Sequence, residues 1–439
     1  MKLPYQILLP DWIITVNSDF EILSDYALVI KGNRIEALVS RDELDEFPEY
    51  QQTTPIELPD CVLMPGLINA HTHASMTLLR GLADDMPLMQ WLGEHIWPAE
   101  SQWVDSEFCL DGFELAAAEM IRSGTTCFND MYFFPDDIAR RAQEIGIRCC
   151  VGLIVLDFPT VWAKDADEYL HKALALHDEI RELPLVTSAL APHAPYTVSD
   201  DPLKKIAMYS NELDIPVHMH IHETAFEVSE AQQKNGMRPL ERLDQLNLLN
   251  PNLIAVHMTE LNEFEMNRVG EAGVNIAHCP ESNLKLASGH FPLAEMLSRD
   301  INISLGTDGA ASNNDLDMFG EMRTAALLGK GIRGDAASCS AQDIIRMATI
   351  NGARALGLAN QIGSLEAGKR ADLIAVNLNT PNTQPVYDPA AQIVYAANSR
   401  QVSHVWIDGK LQLNDFELCH LNAGDLIRKA QVWAQKVKN

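Results

Sequence analysis

Two histidines one residue apart, His71 and His73, end the segment Pro65-Gly66-Leu67-Ile68-Asn69-Ala70-His71-Thr72-His73. The apolar run Val62 to Met64 leads into it and reads as a buried strand ending in polar residues. Alternate side chains of a strand share a face, so both imidazoles point the same way, about 7 Å apart along the backbone. Such a pair can chelate one cation, but alone it is more often hydrogen-bonded core, so further ligands are needed at equivalent places. The chain supplies them. Later apolar runs end in Asn129 and Asp130, in Asp157, in His193, in His218, His220, His222 and Glu223, then in His257, His278 and Asp308. A hydrolytic Zn2+ site takes three or four nitrogen and oxygen ligands and keeps one position open. His71, His73, one histidine of the fifth run and Asp308 meet that need. His218, His220 and His222 share one face, so periodicity alone does not choose among them. His220 is preferred because Glu223, three residues on, then lies off the strand's end where it can lean over the water on the metal. The fourth run ends Ala191-Pro192-His193-Ala194-Pro195-Tyr196 without a lysine to bridge two ions, which favours a single one. The charge of that ion brings the pKa of bound water to about 7, so a nucleophile exists at neutral pH.

These residues need a scaffold that converges them. Strand-like runs recur at 62–70, 125–130, 148–157, 185–193, 216–222, 253–257, 274–279 and 302–308, with helical segments such as Cys109 to Ser123 and Pro202 to Leu213 between them. Strands alternating with helices in this way predict a (β/α)8 barrel of the TIM type over residues 63–368, whose active site forms at the C-terminal strand ends. Ser340 to Leu358 reads as one helix leading out of it. Residues 1–62 carry short strands with a hairpin signal at Gly32-Asn33, and residues 369–439 offer matching strands at 371–376 and 404–410 before a final helix. The economical expectation is a small β-sandwich domain built from both chain ends.

Composition narrows the function. The 439 residues are 47% hydrophobic and 21% charged, with a net charge of −28. That excess of acid argues against nucleic acid and anionic membranes, which both demand basic patches, and no apolar run approaches the roughly 18 residues of a membrane helix. The N-terminus lacks the pattern of a secretory signal. Eight scattered cysteines with no Cys-x-x-Cys pair suit reduced thiols in a cytoplasm.

Several stretches together resemble the amidohydrolase superfamily and, within it, the 5-methylthioadenosine/S-adenosylhomocysteine deaminases. They are Met64 to His73, Leu79-Arg80-Gly81-Leu82-Ala83-Asp84-Asp85, Trp97-Pro98-Ala99-Glu100, Pro192 to Tyr196, His220-Ile221-His222-Glu223-Thr224, Ser282-Asn283-Leu284-Lys285-Leu286 and Leu305 to Asn314. The resemblance implies metal ligation by His71, His73, His220 and Asp308, with Zn2+ as cofactor and Fe2+ or Mn2+ possible in its place. It implies Glu223 as proton shuttle, His257 beside the reactive water, Asp308 as acceptor of the water's proton, Glu100 as ribose-hydroxyl ligand and His193 as a further substrate contact. Read from its residue type alone, Glu100 is a solvated carboxylate at a helix end. The reaction implied is replacement of the adenine 6-amino group by oxygen, and the partners implied are a small nucleoside and, as a homo-oligomer, further copies of the chain. One departure stands out. The stretch Gly152 to Thr160 holds no arginine for the amino-acid tail of S-adenosylhomocysteine, and Lys164 is the nearest cation. Phe158, Val161 and Trp162 there predict an apolar wall that favours a methylthio group. Arg80 and Arg148 are the cations left to reach such a tail, and Arg148 is counted among the substrate-binding residues on that ground. Two other readings compete: a guanine or triazine hydrolase sharing the metal motifs, and a barrel that has lost its metal and serves as an interaction protein.

Overall fold

The computed structural model describes residues 4–47 and 52–438. The chain starts with β1 (Tyr5–Ile14), β2 (Ile22–Ser24), β3 (Tyr26–Lys31), β4 (Arg34–Ser40) and β5 (Ile56–Pro65). Gly32, at φ 64°, makes the tight turn of the β3–β4 hairpin. Eight strands follow with helices between them: β6 (Leu67–Thr72), β7 (Thr125–Met131), β8 (Arg148–Val155), β9 (Val186–Pro192), β10 (Val217–Ile221), β11 (Leu253–His257), β12 (Asn275–His278) and β13 (Ile303–Leu305). The chain ends with β14 (Leu373–Asn377), β15 (Val402–Ile407), β16 (Lys410–Asn414), β17 (Glu417–Leu418) and the helix Ala423–Lys438.

Strands β6 to β13 pair in chain order, all parallel, as the barrel. They are buried on both faces, which is why they read as continuous apolar runs rather than alternating ones. The seam between last and first strands is drawn together where the Asp308 N–H donates to the His71 carbonyl at 3.0 Å. Gly306 permits this approach, since a Cβ there would stand 2.8 Å from the His71 nitrogen. The covering helices show the expected logic: Ser106–Arg122 is capped by Asp105, which accepts from the Phe108 N–H at 2.8 Å, and buries Phe108, Phe113, Ala116, Ala117 and Met120 against the barrel.

Both chain ends share one nine-stranded mixed sheet in the order β17-β16-β15-β14-β5-β1-β3-β4, with β2 on β1. They meet where β14 runs antiparallel to β5, Leu373 opposite Pro65 and Asn377 opposite Cys61. The run 62–70 is therefore not one strand. Val62 to Met64 belong to β5 in the end sheet, and the barrel begins at Leu67 after Pro65-Gly66. Gly66 sits so close to β7 that a Cβ would fall 2.1 Å from Thr126 Oγ1. The helix expected over 340–358 is likewise two, Ala341–Met347 and Ile350–Ala355, broken at Thr349.

Arg148 overturns its expected role. It is the first residue of β8, at the far end of that strand from the catalytic face, and is buried. Its Nε and Nη2 donate to both carboxylate oxygens of Asp372 at 2.8 and 3.0 Å, with Asp408 at 3.7 Å. The guanidinium ties barrel to end sheet and is not among the residues lining the cavity that holds His73, His220 and Asp308. Among the described residues no helix is long and apolar enough to cross a membrane.

Candidate active site

Four side chains converge at the C-terminal face of the barrel. His71 and His73 come from the end of β6, His220 from β10 and Asp308 from just beyond β13, and one ligand atom of each lies within 4.8 Å of all the others. The backbone bends sharply to present some of the neighbouring groups: His222, His257 and Asp308 hold φ of 53°, 74° and 63°. A residue with a Cβ enters that region at a cost of about 1–2 kcal/mol, a strain typical of functional sites.

Each histidine uses Nδ1 for orientation and turns Nε2 inward. His73 Nδ1 lies 2.6 Å from the Met131 carbonyl, His220 Nδ1 2.7 Å from the His193 carbonyl, and His71 Nδ1 2.9 Å from His218 Nε2. The His71 and His73 Nε2 atoms then face Asp308 Oδ1 at 3.2 and 3.3 Å. Asp308 Oδ2 accepts from the hydroxyls of Ser282 (2.6 Å) and Ser312 (2.7 Å), and Oδ1 from the Gly309 N–H (2.8 Å). Burial holds His71 down near 4 and His220 well below the usual histidine value, which favours their neutral rings. Burial also works against a charged His73, but the hydrogen bond and charge of Asp308 outweigh it and lift the ring to about 9. Burial likewise opposes an ionised Asp308, yet its contacts with His71 and His73 keep it well below the carboxylate range. Three inward nitrogens, one carboxylate and a hydrogen-bonded outer layer fit a single divalent cation.

His71 is fully buried, and the other three, His73, His220 and Asp308, line a cavity of about 770 Å³. Glu223 lines it, with burial pushing its carboxyl upward, and its Oε2 is 3.8 Å from His257 Nε2. His257 is fixed from behind by Asn283 Oδ1 at 2.9 Å from Nδ1. The N–H groups of His222 and Glu223 both donate to Glu227, so the turn carrying Glu223 is pinned. Glu100 stands on the side wall, accepts from the Tyr132 hydroxyl at 2.7 Å, and is lifted by burial to about 7. His193 also lines the cavity, its Nδ1 3.2 Å from Thr197 Oγ1.

Other strand-end residues take different work. Asn129 donates to the Ala70 carbonyl, Asp130 accepts from the Ala74 N–H, and Asp157 caps the Ser199 N–H. His222 bridges the Glu260 carbonyl and the Leu240 N–H, and His278 packs on Phe291. Phe158 and Val161 line the cavity as expected, but Trp162 does not: its ring packs on Phe134 under the Lys172 ammonium. Arg80 is taken by Glu119. Sequence reasoning missed Tyr132, Ser282, Asn283 and Ser312 as supports, although three of them stand inside motifs it singled out. It also missed residues 88–96, just ahead of the Trp97–Glu100 motif, which bring Trp91, Leu92 and Ile96 to the cavity around a π-helical turn at Leu92–Ile96.

Fold and ligand set define a metal-dependent barrel hydrolase, and the match of residues 62–412 to the amidohydrolase family places the chain in that family. Its relatives narrow the comparison. It is 48% identical over 427 residues to the 5-methylthioadenosine/S-adenosylhomocysteine deaminase of Saccharophagus degradans, covering 97% of this chain and 95% of that one. It is 43% identical over 397 residues to the 5'-deoxyadenosine deaminase of Methanothermobacter thermautotrophicus, covering 89% and 90%. Among solved structures, an adenosine deaminase from Xanthomonas campestris with bound zinc superposes with a TM-score of 0.95 at 46% identity, over 99% of this chain and 98% of that one.

Proposed function

We propose that the chain hydrolyses the 6-amino group of an adenine nucleoside to the inosine product and ammonia, with 5'-methylthioadenosine preferred to S-adenosylhomocysteine. The observation that carries this is one cavity lined by the ligands His73, His220 and Asp308 together with Glu223 and Glu100, with no lysine or arginine among the described residues that line it. His71, His73, His220 and Asp308 would hold one Zn2+, whose contribution is to make water nucleophilic at neutral pH. The other steps belong to side chains. Glu223, its carboxyl raised by burial, protonates the ring nitrogen and then helps the amine leave. Asp308 takes the water's proton, and His257, held by Asn283, stabilises the tetrahedral state. Glu100 accepts hydrogen bonds from the ribose diol beside Tyr132, a ligand for which a guanine or triazine enzyme has no use.

The 5' end decides between nucleosides. Its surroundings include Phe158 and Val161, and a zwitterionic tail brought there would lose water without gaining a paired cation, a cost of a few kcal/mol. A methylthio group instead gains about 0.8 kcal/mol per buried carbon. All eight cysteines are free and seven are buried, which suits a reducing compartment, and we place the enzyme in the cytoplasm. A panel of adenine nucleosides assayed for ammonia release tests the reading. The expected kcat/KM favours methylthioadenosine by about tenfold or more, the equivalent of 1.4 kcal/mol. Equal values would overturn the tail argument, and no ammonia from any adenine nucleoside would overturn the reaction.

A further inference from the structure

We infer that His218 is a positioning residue for the metal ligand His71, fixing by one hydrogen bond which nitrogen of that ring is free for the cation. The inference rests on the ligand set described above. A neutral imidazole carries a single proton, and the nitrogen that meets a cation cannot hold it. His71 turns Nε2 toward Asp308, so its proton belongs on Nδ1, 2.9 Å from His218 Nε2. His218 must then accept at Nε2 and keep its own proton on Nδ1. That Nδ1 is buried and has no partner among the described residues. The reverse arrangement has His218 donating, which moves the His71 proton to Nε2, aims it at Asp308 and closes the ring to a cation. One hydrogen bond thus separates a ring ready for metal from one that refuses it.

His71 differs here from the other two ligand histidines. His73 and His220 hand their Nδ1 protons to the carbonyls of Met131 and His193, acceptors that no side-chain substitution removes. His71 alone among them depends on a side chain for its orientation. An apolar residue at this inward, fully buried position of β10 would fill the barrel without leaving an unpaired N–H, so the histidine is a costly choice for packing alone. Support from behind a ligand fits the site of His218, and a role in binding the cation itself does not, since its Nε2 is engaged with His71.

The test uses the full-length protein loaded with zinc, titrated against a chromogenic chelator, with His218→Leu and His218→Gln beside the wild type. The glutamine carbonyl can stand in as acceptor; leucine cannot. The expected result is a 10–100-fold loss of zinc affinity in His218→Leu, the usual scale for a group supporting a metal ligand, and a loss of about threefold or less in His218→Gln. Wild-type affinity in His218→Leu would overturn the inference, as would an equal loss in both variants, which would mark a packing effect. Nitrogen NMR of 15N-histidine-labelled, zinc-loaded wild type decides the matter even if the leucine variant fails to fold. A proton on Nδ1 of His218 supports the assignment, and a proton on its Nε2 overturns it. Failure of the wild type to bind zinc would instead refute the metal site on which the proposed reaction depends.

Discussion

Replacing Phe158 with arginine tests how the cavity chooses the 5' group of its substrate. Phe158 follows β8 at the cavity mouth and is 46% exposed, so an arginine there would be half in water. A fully exposed ion pair is worth about 0.2–1 kcal/mol, and a hydrogen bond to a charged group out of water about 1.5–3. Half exposure places the gain for the S-adenosylhomocysteine carboxylate near the join of those ranges, about 1 kcal/mol or fivefold. Methylthioadenosine loses apolar contact worth about one buried carbon, roughly 0.8 kcal/mol or fourfold. The ratio of kcat/KM for the two nucleosides should therefore swing about 20-fold toward S-adenosylhomocysteine. Both nucleosides presented together, with products separated by chromatography, give that ratio directly. A ratio within about threefold of the wild type would refute the reasoning, provided the variant keeps its metal and its activity on adenosine. The tail would then leave the cavity on another side.

Three further outcomes are expected. Glu223→Gln should retain zinc and lose at least about 10²-fold in kcat, because the amide keeps the shape and cannot shuttle a proton; near-normal turnover would move that role to His257. Arg148→Ala should cost about 3–5 kcal/mol in urea unfolding by stranding Asp372, with kcat/KM of the folded enzyme unchanged; a selective loss of activity at native stability would return Arg148 to the substrate. Glu100 titrates near 7 because burial disfavours its anion, and only the anion accepts from a diol at both oxygens. So kcat/KM should rise with pH through about 7, and Glu100→Gln should be weaker yet flat over that range; an unchanged profile in the variant would assign the limb to another group.

The barrel and its site were legible in the sequence to different depths. Histidines at strand ends stand out because a period of two decides which face they share, and Glu223 broke the tie among three equivalent candidates. The break at Pro65-Gly66 was hidden because Val62 to Met64 and Leu67 to Ala70 are equally apolar and both buried, one stretch in each sheet. Arg148 misled for a different reason. Its partner Asp372 is 224 residues away in the chain, and no local pattern can announce a contact that only the closed fold creates. The wall from 88–96 was missed since Leu92 and Ile96 reach the cavity through a π-helical turn, which displaces the 3.6-residue period by which a buried face is recognised.

The chain leaves the end sheet at Pro65 and re-enters it at Leu373, so the barrel is spliced between two strands that lie side by side. A crossover in the gene that transplants the barrel by itself would strip the pairing edge from β5 and carry Arg148 away from Asp372, leaving a buried guanidinium with no counter-ion. Recombination can succeed only when both flanks travel with the insert or when single loops at the catalytic rim are exchanged. Barrel and end sheet are thus one structural block, and the loops at the catalytic rim are the parts that can change without breaking it.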